Sequence, residues 1–229
     1  MSITGRIAPN AAERSMSLET YQQRIKEEKR SAAIDAAMQL FLEQGYDQTS
    51  LAQIAKRAGI STATIFKRFS TKAALLEAIV EEFWSVDVEC EGTPTIGNPR
   101  AALRKIGIAY AKRMRRPEMQ AIYRLIISEA PRFPDLGKLL FDKGKGPFLD
   151  RLDTYLCAER QVGTLIIADV RAASNQFLAI IAGQVFWPDL IVPGCGGSDE
   201  EMVEVVEAAS ELFFARYAAP VIVPLLPVD

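Results

Sequence analysis

Apolar residues along this chain recur at intervals of three and four, and no stretch alternates as a half-buried strand would. Between residues 24 and 44, Ile34, Ala37, Met38, Phe41 and Leu42 form one helical face, and Gly45 closes it as a residue that tolerates positive φ. Thr49 and Ser50 offer an N-cap to a helix of about two turns carrying Leu51, Ile54, Ala55 and Ala58. Gly59 then turns the chain, Ser61 caps a third helix, and Ile65 and Phe69 point back to the same core. Two short helices around a glycine turn make a helix-turn-helix, with Ala55 small enough to allow a close crossing.

From Lys72, preceded by Ser70 and Thr71 as caps, a fourth helix is expected through Leu75, Leu76, Ile79, Val80 and Phe83 toward Glu91, until residues Thr93 to Pro99 break it. Asn98 as N-cap and Pro99 in the first turn start another helix through Arg116, carrying Leu103, Ile106, Ala109, Tyr110 and Met114. Further helices are expected over 118–129, 135–141 and 147–159, with Pro131, Pro134 and Pro147 between them. The two longest patterns come last, over 169–187 and 199–217, and are apolar on more than one face. Such helices are either fully buried or pack inward on one face and against a partner subunit on another. The expected architecture is all-α. A flexible tail (1–23) precedes a helix-turn-helix domain (24–76), then come a helical regulatory and dimerisation domain (77–218) and a proline-broken C-terminal tail (219–229).

Composition narrows the chemistry. The chain has 229 residues, 49% apolar and 24% charged, as in folded soluble proteins. Its apolar runs fall short of the ~18 residues of a membrane span. Residues 1–23 include Glu13, Arg14 and Glu19 and no apolar core, so no secretory signal is read and a cytoplasmic protein is expected. Cys90, Cys157 and Cys195 are widely spaced and read as free thiols. With no histidine, imidazole-based nucleophile activation, HExxH zinc sites and proton shuttles are excluded; neither a metal nor a cofactor is expected, nor an enzyme. The net charge of −2 hides an asymmetry: residues 1–76 hold 11 basic against 7 acidic side chains, residues 77–229 hold 16 against 22. A basic head on an acidic body suggests that the head alone meets an anionic partner.

The third helix presents Thr62, Ala63, Thr64, Lys67 and Arg68, small and hydroxylated residues followed by cations, which suit close approach to a major groove. Lys72, beside Ser70 and Thr71, suits a phosphate. The competing reading of these cations is a solvated face. The stretch Ala33–Glu77, AIDAAMQLFLEQGYDQTSLAQIAKRAGISTATIFKRFSTKAALLE, contains FxxxGY (Phe41–Tyr46), IAxxAGIS (Ile54–Ser61) and FSTKxxLL (Phe69–Leu76). It resembles the DNA-binding domain of TetR-family transcriptional regulators. The resemblance implies a homodimer on a double-stranded operator, with the third helix in the major groove and a C-terminal domain that binds a small-molecule inducer. By position it gives DNA-contact roles to Thr49, Ser50, Thr62, Ala63, Thr64, Phe66, Lys67, Arg68 and Lys72. Phe66 stands where tyrosine is usual, so a phenol contact to phosphate is absent, Thr62 stands where lysine is frequent and Arg68 where histidine is frequent; these departures bear on the operator sequence more than on DNA binding itself.

The segment Ala121–Leu136 and the run Phe177–Gln184 are similar to regulatory domains of the AefR-like branch of that family. The resemblance also places the dimer interface on the last two helices, with Phe177, Ile181, Gln184, Val205, Ala209, Leu212 and Phe213 as candidates. Phe83, Trp84, Tyr110, Met114, Met119, Tyr123, Phe148, Tyr155 and Phe186 are candidate walls of an apolar cavity for a hydrophobic or amphipathic inducer, or else plain core. DKGKGP (Asp142–Pro147) lacks phosphate-loop spacing and reads as a flexible turn. The acidic cluster from Asp199 to Glu207 reads as a solvated helix start. A ligand-responsive repressor is the expected function; the alternative is a helical adaptor that has lost sequence-specific DNA binding.

Overall fold

Helix α1 (Ala11–Gln44) is far longer than its apolar face, because its first half is mostly polar. There the helix rests on good helix formers and on the pairs Arg24–Glu28 and Glu27–Arg30, which give no apolar stripe to read. Residues 11–23 are therefore helical where the sequence suggested a tail. The structure, a computed structural model, describes residues 11–85 and 94–220. It divides into two units, one up to Ile79 and one from Val80.

In the first unit, Gly45 (φ 86°) ends α1 and Tyr46 and Thr49 fold beneath it, both buried. Ser50 caps α2 (Leu51–Arg57) and Ser61 caps α3 (Thr62–Arg68), with Gly59 (φ 64°) at the turn. Ile34, Ala37 and Phe41 of α1 pack with Ile54, Ala55 and Ile65, all at most 1% exposed. Leu42, expected on this face, is 48% exposed. Helix α4 (Lys72–Trp84) follows; the expected extension toward Glu91 falls on residues 86–93, outside those described.

The second unit continues with α5 (Pro99–Met114), started by Asn98 and Pro99 as expected, and α6 (Pro117–Glu129). Next come α7 (Asp135–Leu140), a π-helical turn over Phe141–Lys145 and α8 (Gly146–Gln161). The DKGKGP segment is thus a wide helical turn running into α8 rather than a flexible loop. Helix α9 (Val170–Val185) leads into the short α10 (Trp187–Ile191), and α11 (Asp199–Tyr217) closes the unit. Helices α5, α9 and α11 form its centre, meeting at Gly107, where an added Cβ would lie 2.7 Å from Val206 Cγ1 and 3.1 Å from Phe177 Cζ. Glu159, fully buried, accepts from the Gly97 amide at 3.0 Å and the Tyr155 hydroxyl at 2.6 Å, and so ties the chain before α5 to α8.

Among the described residues there is no strand, only a bridge between Leu165 and Ala218. None of their helices is long and apolar enough to cross a membrane. The Ala219 amide donates to the Thr164 carbonyl at 3.1 Å; the rest of the expected C-terminal tail, 221–229, lies outside the described residues. Cys157 and Cys195 are free thiols, and Cys90 is outside the described set.

Candidate DNA-binding surface and ligand cavity

A helix of seven residues must be held by its neighbours, and α3 is held at three points. Ser61 Oγ accepts from the Thr64 amide at 3.1 Å, Ile65 is fully buried, and the Phe69 amide closes the last turn on Ile65 at 2.8 Å. Thr62, Ala63, Phe66 and Lys67 are left exposed, with Phe66 at 53%. Positions 62 and 66, like 63 and 67, are four apart, so the four share one outward face. Thr64 is half-buried with its hydroxyl 2.7 Å from the Ser61 hydroxyl, and Arg68 is also half-buried.

Three expected contacts are committed inside the head. Thr49 is 2% exposed; its hydroxyl donates toward the Gly45 carbonyl at 2.8 Å and the Leu40 carbonyl at 3.3 Å, and accepts from Gln44. Burial withdraws it from DNA. Ser50 is exposed but shares a capping box with Gln53, whose side-chain oxygen takes both the Ser50 amide (2.7 Å) and hydroxyl (2.8 Å). Lys72 turns inward: Nζ donates to the carbonyls of Tyr46 at 2.6 Å and Asp47 at 2.9 Å and lies 4.7 Å from the Tyr46 ring centre. Two carbonyl acceptors and a π-face are what an ammonium leaving water needs, so Lys72 holds the turn before α2. Sequence reasoning missed the Arg57–Glu43 pair, bidentate at 2.9 and 2.7 Å, which clamps α2 to α1. The Arg57 guanidinium holds the Glu43 carboxyl below the usual carboxylate range.

The second unit carries a half-open cavity of about 230 Å³. Of the nine candidate wall residues, Tyr110, Met114, Tyr123 and Phe186 line it. Leu140, Phe141, Lys145, Ala182 and Trp187 complete most of the wall, along with Gly137. Trp84 and Phe148 stand behind it in a ring series: Tyr110 lies 5.5 Å from Phe148, and Phe148 6.2 Å from Trp84. Met119 is fully buried core, Tyr155 is buried with its hydroxyl on Glu159, and Phe83 lies under the Arg116 guanidinium. None of these three reaches the wall.

Lys145 reaches the cavity from the end of the π-turn, which winds wider than an α-helix there. The same turn brings Gly144 against Trp84, where a Cβ would lie 2.6 Å from the indole. On the opposite side, Asp189 accepts from Gln120 and from the Gly194 amide, and Arg124 donates at 2.8 Å to the carbonyls of Asp189 and Leu190. The Gln120 bond, with the Gly194 amide and Arg124, keeps the Asp189 carboxyl below its ordinary value. This cluster seats α10 on α6 and so fixes Phe186 and Trp187 at the wall.

The expected dimer residues separate into two groups. Phe177, Ile181, Ala209 and Phe213 are at most 3% exposed and face the unit's own core. The apolar period that suggested an interface was, at these four, the intramolecular packing of α9 with α11. Gln184 and Leu212 are exposed, Leu212 at 59%, and Val205 is half-buried. Beside them Ala179, Gly183 and Ala208 are also exposed, so a face of small and apolar side chains remains.

The acidic start of α11 is used internally: Ser198 and Glu201 form a capping box, Asp199 pairs with Arg115 and Glu207 with Arg104. Among the described residues no three side chains gather as metal ligands.

Comparisons with known proteins divide the chain in the same order. The family model for bacterial regulatory proteins of the tetR family matches residues 33–79, and that for the C-terminal domain of AefR-like transcriptional repressors matches residues 101–219. The HTH-type transcriptional regulator SrpR of Pseudomonas putida is 24% identical over 195 residues, 85% of this chain and 87% of SrpR. The HTH-type regulator YvkB of Bacillus subtilis (strain 168) is 45% identical over 49 residues, 21% of this chain, and the match spans only 26% of YvkB. Among solved structures, the flavonoid-responsive regulator FrrA superposes with a TM-score of 0.69 at 31% identity, covering 83% of this chain and 97% of FrrA. With a tetR-type head followed by an AefR-like body, the chain belongs to the TetR family of transcriptional regulators.

Proposed function

We propose that the protein is a cytoplasmic homodimeric repressor that leaves its operator when a small, largely apolar molecule occupies the cavity of the second unit. The observation that carries the DNA-binding half is the outward face of α3: Thr62, Ala63, Phe66 and Lys67, small, hydroxylated, apolar and cationic, without a carboxylate among them. Thr62 and Ala63 are short enough for base edges to approach, Phe66 suits a thymine methyl, and Lys67 and Arg68 suit phosphates. The aromatic cavity, and the flavonoid response named for FrrA, support the ligand half. Helix α4 is the mechanical link in this reading: Lys72 starts it, and Trp84 ends it against the π-turn that carries Lys145 into the cavity. A ligand that favours one setting of α4 lowers operator affinity by no more than its differential affinity, commonly ~1 to 3 kcal/mol.

The test is genomic footprinting with the purified dimer, followed by titration of a recovered site against salt. Sequence-specific sites with a steep salt dependence are expected. Failure to bind duplex DNA would leave the adaptor reading, to which the inward Lys72 points.

A further inference from the structure

The cavity has an apolar wall with three polar groups in it. Tyr110 reaches it from α5, Tyr123 from α6 and Lys145 from the π-turn. Among the described residues, neither phenol hydroxyl nor the ammonium has a hydrogen bond or an ion pair with the protein. Tyr110 is 2% exposed, so what remains accessible of it faces the cavity. Lys145 is the one charged residue in the wall, and no carboxylate stands beside it.

Partial burial pushes the Lys145 ammonium below its ordinary value, as expected of a half-buried cation with no carboxylate in the wall beside it. Burial also pushes both phenols well above theirs, so they stay protonated and can donate. An entering cation would add to the penalty at Lys145, and a hydrocarbon would leave it in place. An anionic oxygen would offset it and could accept from the hydroxyls as well.

Shape narrows the body of the ligand. Phe141, Phe186 and Trp187 join the two tyrosines in presenting rings, and Tyr123 and Phe186 meet edge to face at 4.8 Å. A dry apolar cavity of roughly 150 Å³ holds one benzene ring; about 230 Å³ here suits a molecule of two fused rings.

We propose that the cavity selects a planar two-ring aromatic oxyacid, its anionic oxygen held by Lys145 with donation from Tyr110 and Tyr123, and its rings among Phe141, Phe186 and Trp187. The proposal rests on the cavity being the effector site and adds the chemistry of the effector.

Isothermal calorimetry of the full-length protein with three probes tests it: 2-naphthoate, neutral 2-naphthylmethanol and cationic 2-naphthylmethylamine. Naphthoate is expected to bind at least about tenfold more tightly than the alcohol, and the amine more weakly than either. Lys145→Met should weaken naphthoate by about 10- to 100-fold and leave the alcohol within about twofold. Tyr123→Phe, which removes one donor and leaves the ring, should weaken naphthoate by about three- to tenfold and keeps the test open if the Lys145 variant does not fold. Similar affinity for all three probes, or equal loss of naphthoate and alcohol in Lys145→Met, would overturn the oxyacid assignment while leaving the cavity as a ligand site. If no probe binds a folded protein that still binds DNA, both the oxyacid assignment and the effector-site reading fall.

Discussion

A lysine ammonium has three N–H donors, and Lys72 places two of them on the carbonyls of Tyr46 and Asp47, where it holds the turn before α2. Lys72→Met should cost the head about 1 to 2 kcal/mol, visible as a drop of several degrees in melting temperature, while the salt slope of DNA binding stays unchanged. Lys67→Ala should do the reverse, lowering the slope by about one unit with the melting temperature kept. A sequence marks both residues as cations near the recognition helix, but which way a four-carbon stem turns depends on acceptors supplied 26 and 25 residues earlier in the chain. Thr49 is a parallel case, since its hydroxyl suited DNA by type and was taken by the carbonyls of Leu40 and Gly45. For Glu43 the direction of the shift sets a pH dependence. Its carboxyl lies lower in the folded head than unfolded, so the Arg57 pair stabilises above the ordinary value of 4.5 and is lost as pH falls through the depressed one. Thermal melts between pH 6 and 3 should show this acid loss in the native protein and a smaller one in Glu43→Gln.

Elements were legible in proportion to their amphipathicity. Helices α2, α3, α5, α9 and α11 carry caps and an apolar stripe, and the sequence locates each to within about two residues at most ends. The first half of α1 is mostly polar, and the π-turn and α10 are too short for a period to show. Those last two place Phe141, Lys145 and Trp187 in the cavity, which accounts for three of the six wall residues that were not anticipated. Closely packed glycines give a direct check on these contacts. Gly107→Ala would push a methyl against Val206 and Phe177, and Gly144→Ala would push one into the Trp84 ring. Each should destabilise by about 1 to 3 kcal/mol, read by chemical denaturation, and Gly144→Ala should also weaken ligand binding by displacing the turn that carries Lys145.

At the scale of the whole molecule, two recognition helices must reach successive major-groove faces about 34 to 36 Å apart or a multiple of that, which one chain cannot do. The packing of α9 and α11 sorts the variants that test for a second chain. Leu212→Glu alters a side chain 59% exposed and should give a folded monomer by light scattering; Phe177→Asp places a charge at a site 1% exposed and should unfold the chain. A dimer that persists in Leu212→Glu would move the interface off this face. If an effector releases the operator as proposed, linkage requires operator DNA to weaken effector binding by the same factor.

The placement of Trp187 makes the cavity observable with light. The chain has two tryptophans: Trp84 is 4% exposed behind the wall, whereas Trp187 is 48% exposed and part of it. A molecule entering the cavity trades water for its own surface around the Trp187 indole, so the emission of that indole should shift to the blue or be quenched by ring contact. Trp84→Phe would leave Trp187 as the sole emitter, a built-in optical gauge of occupancy that needs no attached dye. Each filling of the cavity should then appear as a spectral change, and the absence of one on saturation would place the bound molecule elsewhere.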